Sequence, residues 1–116
     1  MEPSPEVVQQ LKAKFPDREL HQVEFGDDEC FIMTGPNRSE YQKFVDDITK
    51  AGNAKEADRG HAIRFAIEQN ALAMIRWPER DDVKKLFDTY PAAVEKFADK
   101  LRETAGGTFE LRSKKL

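Results

Sequence analysis

Cysteine is almost absent, with Cys30 the single one in 116 residues. One thiol closes no intramolecular disulfide and builds no cysteine-rich zinc site, so both frameworks are excluded. Histidine is nearly as scarce: His21 and His61 stand alone, and the position four residues beyond His61 is Phe65, not a second metal ligand. An excess of positive charge is missing too, since 19 basic against 22 acidic residues leave a net charge of −3. Without that excess there is little to displace phosphate counterions, which argues against nucleic acid as a partner. The basic residues that do cluster (Arg76, Arg80, Lys84, Lys85) are interleaved with Glu79, Asp81, Asp82 and Asp88, which cancels their field. No apolar run is long enough to cross a bilayer, because Arg64, Glu68, Gln69, Asn70 and Arg76 interrupt Ala62 to Trp77. The start, Met-Glu-Pro-Ser-Pro-Glu, has no basic or apolar region of a signal peptide. A cytoplasmic location with no membrane partner is expected.

Chemistry-bearing motifs are equally sparse. There is neither a GxxxxGK loop nor a GxGxxG turn to cradle a nucleotide phosphate. Asp27-Asp28-Glu29 lacks the alternating oxygen ligands of a calcium loop and reads as a solvated turn. No base is marked as a partner for Cys30, which reads as a small apolar core residue. The expectation is a protein that is not an enzyme and carries no cofactor and no metal.

What is present is a modest core. Leu, Ile, Val and Phe together make 26 residues, enough for one domain of this length. Ser4, Pro5 and Glu6 open a short helix whose Val7, Val8, Leu11 and Phe15 share one face, and Pro16 stops it. The period then falls to two. His21, Val23 and Phe25 alternate with Leu20, Gln22 and Glu24, the Gly26–Glu29 segment turns, and Cys30 to Thr34 forms a second strand. That strand is apolar on both faces, so it lies under helices or is covered by another chain.

Gly35-Pro36 ends the hairpin, and either Asn37 with Glu40 or Ser39 with Gln42 caps the next helix. Tyr41, Phe44, Val45 and Ile48 form its stripe, and Thr49 to Asn53 reads as a linker. A long helix follows over about 54–77, with Ile63, Ile67, Ala71 and Met74 on one stripe and Phe65, Leu72 and Ile75 off it. Pro78 ends it. A short helix carries Val83, Leu86, Phe87 and Tyr90; Thr89 and Pro91 open the last, with Val94, Phe97, Ala98, Leu101 and Ala105 on one face before Gly106-Gly107. The fold class is therefore α+β, mostly α: an N-terminal helix, a β-hairpin, then a bundle of about four helices. One domain spans residues 1–107, and 108–116 form a flexible basic tail.

Taken in order, these elements resemble the small tail assembly chaperones of tailed bacteriophages. Thr34-Gly35-Pro36-Asn37-Arg38-Ser39-Glu40-Tyr41-Gln42-Lys43-Phe44 is similar to that family's Pro-led helix start, with its Glu, aromatic and Phe at fixed spacing. Met74-Ile75-Arg76-Trp77-Pro78 looks like its apolar run closing on Pro, and Leu86-Phe87-Asp88-Thr89-Tyr90-Pro91 with Ala105-Gly106 looks like its final segment. The likeness covers roughly residues 6 to 107. Gly35 departs from it, standing where a basic residue is expected before the Pro. The resemblance implies a non-catalytic protein that binds the long helical tape measure protein and helps tail tube protein assemble around it. Other phage or bacterial helical adaptors, a head–tail connector component or a DNA-binding regulator are the competing classes.

Apolar surface in excess of what a small domain hides marks partner or self-contacts. Phe31 and Met33 of the second strand, with Leu72 and Ile75 of the long helix, are the candidate partner-binding residues, for a client or a homo-oligomer.

Overall fold

In a computed structural model that describes residues 2–116, helix α1 covers Pro5–Lys14 and is capped by the Ser4 hydroxyl, which accepts from the Val7 N–H at 3.3 Å. Strands β1 (Leu20–Phe25) and β2 (Glu29–Thr34) pair antiparallel, with Val23 opposite Phe31 and Glu24 opposite Cys30. Gly26 sits in the turn at φ 64°, a conformation that favours a residue without Cβ. Four helices follow the hairpin: α2 (Arg38–Gly52), α3 (Glu56–Met74), α4 (Arg80–Thr89) and α5 (Ala93–Arg102). The expected class, α+β and mostly α, is what the chain adopts.

Three boundaries differ from the sequence reading. The long helix stops at Met74, and Ile75–Trp77 forms a third strand, β3, antiparallel to β2 and ahead of a cis Trp77–Pro78 bond. The sheet order β1-β2-β3 thus makes β2 the central strand. Helix α2 runs through the expected linker to Gly52, because Ala51 is buried and the Thr49 hydroxyl bonds back to the Val45 carbonyl at 2.9 Å. Thr89 does not open α5; its hydroxyl bonds the Lys85 carbonyl within α4, and Ala105 falls beyond α5 in a widened last turn, Glu103–Gly107.

The helix cap is settled in favour of Asn37. Its Oδ1 accepts from the Glu40 N–H at 2.9 Å while Glu40 Oε1 accepts from the Asn37 N–H at 2.9 Å, a reciprocal capping box.

Both faces of β2 are covered within this one chain. Phe31 and Met33 join the main core with Phe44, Leu72, Phe87, Val94, Phe97 and Leu101. An aromatic chain runs through it, with Phe97 edge-on to Phe31 at 5.0 Å and to Phe87 at 5.5 Å between ring centroids. Phe25 and Tyr90 extend the chain at 5.5 Å toward the surface. On the other face Cys30 and Ile32 are buried as well. Helix α1 crosses that side: Glu2 before it shares a surface hollow with Cys30, and Phe15 at its end lies 4.5 Å from the Arg76 guanidinium. The half-buried stripe of α1 follows from this single-sided contact.

Candidate partner-binding surface

Phe31, Met33, Leu72 and Ile75 are not a surface. They are 2, 1, 6 and 8 % exposed and belong to one core cluster, so the expectation that they present apolar area to a partner is corrected. The physical reason is β3. By pairing on the second edge of β2 it turns Ile75 inward opposite Met33, and the last turns of α3 follow with Leu72. The apolar excess that suggested a partner is absorbed by a third strand.

Two of the segments that carry the family resemblance, Thr34–Phe44 and Met74–Pro78, meet instead at a polar knot. Glu40 Oε1 accepts from Arg18 Nη2 at 2.6 Å, and Arg18 also donates to the Gly35 carbonyl at 2.5 Å. Arg76 reaches the same carboxylate at 3.7 Å and donates through Nε to Thr34 Oγ1 at 3.1 Å. Thr34 is fully buried, and its hydroxyl is shared by both arginines. Burial pushes the Arg76 guanidinium downward in pKa, and the neighbouring Glu40 carboxylate works against that shift. This arrangement pins the α1–β1 link, the β2–α2 junction and β3 to one another. Its groups are satisfied by one another, which is the chemistry of a structural lock.

A second polar contact fixes α2 against α3. Buried Asn70 donates to Asp47 Oδ2 at 3.0 Å and to the Ala66 carbonyl at 2.9 Å, and Lys43 pairs with Asp47 at 2.6 Å. The Lys43 and Asn70 hydrogen bonds hold the Asp47 carboxyl below the usual range. Burial raises the pKa of the Cys30 thiol and keeps it protonated, consistent with its reading as a core residue. Among the described residues, no group of three or more His, Cys, Asp and Glu side chains is placed to hold a metal ion, and no helix is long and apolar enough to cross a membrane.

The open apolar surface lies farther along the α2–α3 contact. Phe65 is 57 % exposed and lines a groove of about 470 Å³ with Ala51, Ala54, Ala62 and Ala66, its polar lining being Lys43, Asp47, Lys50 and Gln69. Small lining residues let an incoming side chain approach the backbone, and an exposed ring gives it a flat partner. The sequence signal for Phe65 was its place off the main α3 stripe, shared with Leu72 and Ile75, and the fold separates the three. The C-terminal half of α3 is enclosed, with Asn70, Ala71, Leu72 and Met74 buried, while Glu56 to His61 are exposed. Three further exposed apolar side chains, Phe109, Leu111 and Leu116, lie in the segment beyond Gly107, which carries no regular structure. Comparison with known proteins returns no matching family model, no similar curated protein and no similar solved structure.

Proposed function

We propose that this chain is a non-catalytic tail assembly chaperone of a tailed bacteriophage, working in the host cytoplasm. It holds an apolar helical segment of the tape measure protein and thereby helps tail tube protein assemble around it. The reading rests on the ordered resemblance of the Thr34–Phe44, Met74–Pro78 and Leu86–Pro91 segments to that family. The observation that carries the binding role is the open groove between α2 and α3, which a half-exposed Phe65 lines together with four alanines. A long helical client needs such a surface: an exposed ring and small lining residues take one apolar face of a helix, as helix-in-groove recognition does elsewhere.

The test is co-expression with the tape measure protein encoded nearest to this gene, followed by affinity capture. The client is expected to stay soluble and co-purify with the wild-type chain but not with Phe65→Glu, whose circular dichroism and melting stay unchanged. A client that is equally insoluble with and without the chaperone overturns the reading. So does a gene whose neighbours encode no tail proteins.

A further inference from the structure

We propose that two copies of this chain dimerise by exchanging their C-terminal segments, each laying Phe109–Ser113 along the open edge of β1 in the other. Among the described residues, strand β1 has a neighbouring strand on one side only. The Gly35 N–H donates to the Glu19 carbonyl, which sets the alternation along the strand: the backbone of His21, Val23 and Phe25 turns to β2. The N–H and C=O groups of Leu20, Gln22 and Glu24 therefore point outward along the edge. An edge with unpaired backbone groups is a template for another strand unless it is blunted by Pro, a bulge or a cover. No proline lies within β1, and its pairing with β2 runs without a shift from Leu20 to Phe25.

The C-terminal segment has the pattern to fill that edge. Phe109 and Leu111 alternate with Glu110 and Arg112, the period of a strand with one apolar face. They are 80 and 101 % exposed; the Phe109 ring touches its own chain at Gly106, and most of this apolar face is left open. Beside β1 there is a groove of about 500 Å³, lined by Val23 on one side and by Lys100, Glu103 and Thr104 on the other, and Thr108 borders it. Charge favours the match, since Glu19 and Glu24 mark the edge while Arg112, Lys114 and Lys115 follow the apolar pair.

A second copy is the occupant because of where the segment starts. Thr108 already lies against the middle of β1, among residues that include Gln22 and Val23. At about 3.3 Å per residue a segment tethered there passes the end of the strand after two or three residues. A segment supplied by another copy has no such tether, and a two-fold axis lets both edges fill at once.

Sedimentation velocity of the full chain over a wide concentration range is the test. A concentration-dependent dimer is expected, with loss of it in a chain ending at Gly107 and in Phe109→Ser/Leu111→Ser. Both changes fall outside the folded core and leave the melting temperature in place. Gln22→Pro removes one outward N–H and is expected to abolish the dimer as well; if it fails to fold, the tail variants carry the test. A full chain that stays monomeric throughout overturns the proposal. It is equally overturned by a dimer that survives removal of the tail, or by a monomer whose Phe109–Ser113 amides are protected from exchange.

Discussion

Glu40 serves three partners with one carboxylate: the Asn37 N–H, Arg18 and Arg76. Its removal leaves two guanidinium groups, each about a fifth exposed, facing each other across Thr34. Glu40→Ala is therefore expected to cost about 2 kcal/mol, read as a shift in the urea midpoint at unchanged slope. Asn37→Ala removes only the cap and should cost about 1 kcal/mol, whereas Ser39→Ala, outside the capping box, should stay within about 0.5 kcal/mol. Asp47 adds a pH dependence. A carboxylate whose folded pKa is depressed contributes stability at pH values above its unfolded pKa of about 3.9 and loses it as pH falls through the folded value. Asn70→Ala removes one of the two hydrogen bonds that depress it. The acid limb of the stability curve should then move to higher pH, measurable by melting at steps below neutral. Because Asp47 is a third exposed, the change is modest.

At the scale of elements, Ile75 and Phe65 make a diagnostic pair, both apolar and both off the main α3 stripe. Ile75→Asp places an unpaired charge opposite Met33 and is expected to unfold the domain, while Phe65→Glu leaves its melting temperature almost unchanged. Circular dichroism of the two purified variants decides it. The same pair shows what was legible in the sequence. The start of α1, the hairpin and most of the α5 stripe could be read because their signals are local: a cap, a turn glycine, a period of two or 3.6; the start of α5, which has no side-chain cap, could not. Nor could strand β3. Ile75-Arg76-Trp77 continues an apolar pattern already running in α3, and only pairing with β2, more than forty residues earlier in sequence, makes it a strand. Without that strand, a second strand apolar on both faces and a long helix apolar off its stripe read as surplus apolar surface, and four core residues fall to a partner in consequence. Phe65 was visible as a misfit, but periodicity alone does not say which misfits are enclosed by tertiary contacts.

At the scale of the molecule, polar or ionic links among the described residues hold elements distant in sequence: the Arg18–Glu40–Arg76 knot, the Asn70–Asp47 bond, and Arg64, which pairs with Glu95 at 3.0 Å and bonds the Pro91 carbonyl. The last one ties the open half of α3 to the start of α5. Removing Arg64 is thus expected to loosen that half without disturbing the sheet: Arg64→Ala should speed amide exchange in residues 58–66 and leave Phe31 and Met33 protected. Helix α3 also passes into β3 with no intervening residue, Met74 ending one and Ile75 beginning the other. A joint with no slack behaves as a stiff rod fixed to a plate, so a force on the exposed end arrives at the sheet rather than being spent in a loop. From Phe65 to Met74 that rod is about 14 Å long at 1.5 Å per residue. Occupation of the α2–α3 groove should therefore be audible at a distance, as slower exchange of the Ile75–Trp77 amides, which the occupant never touches.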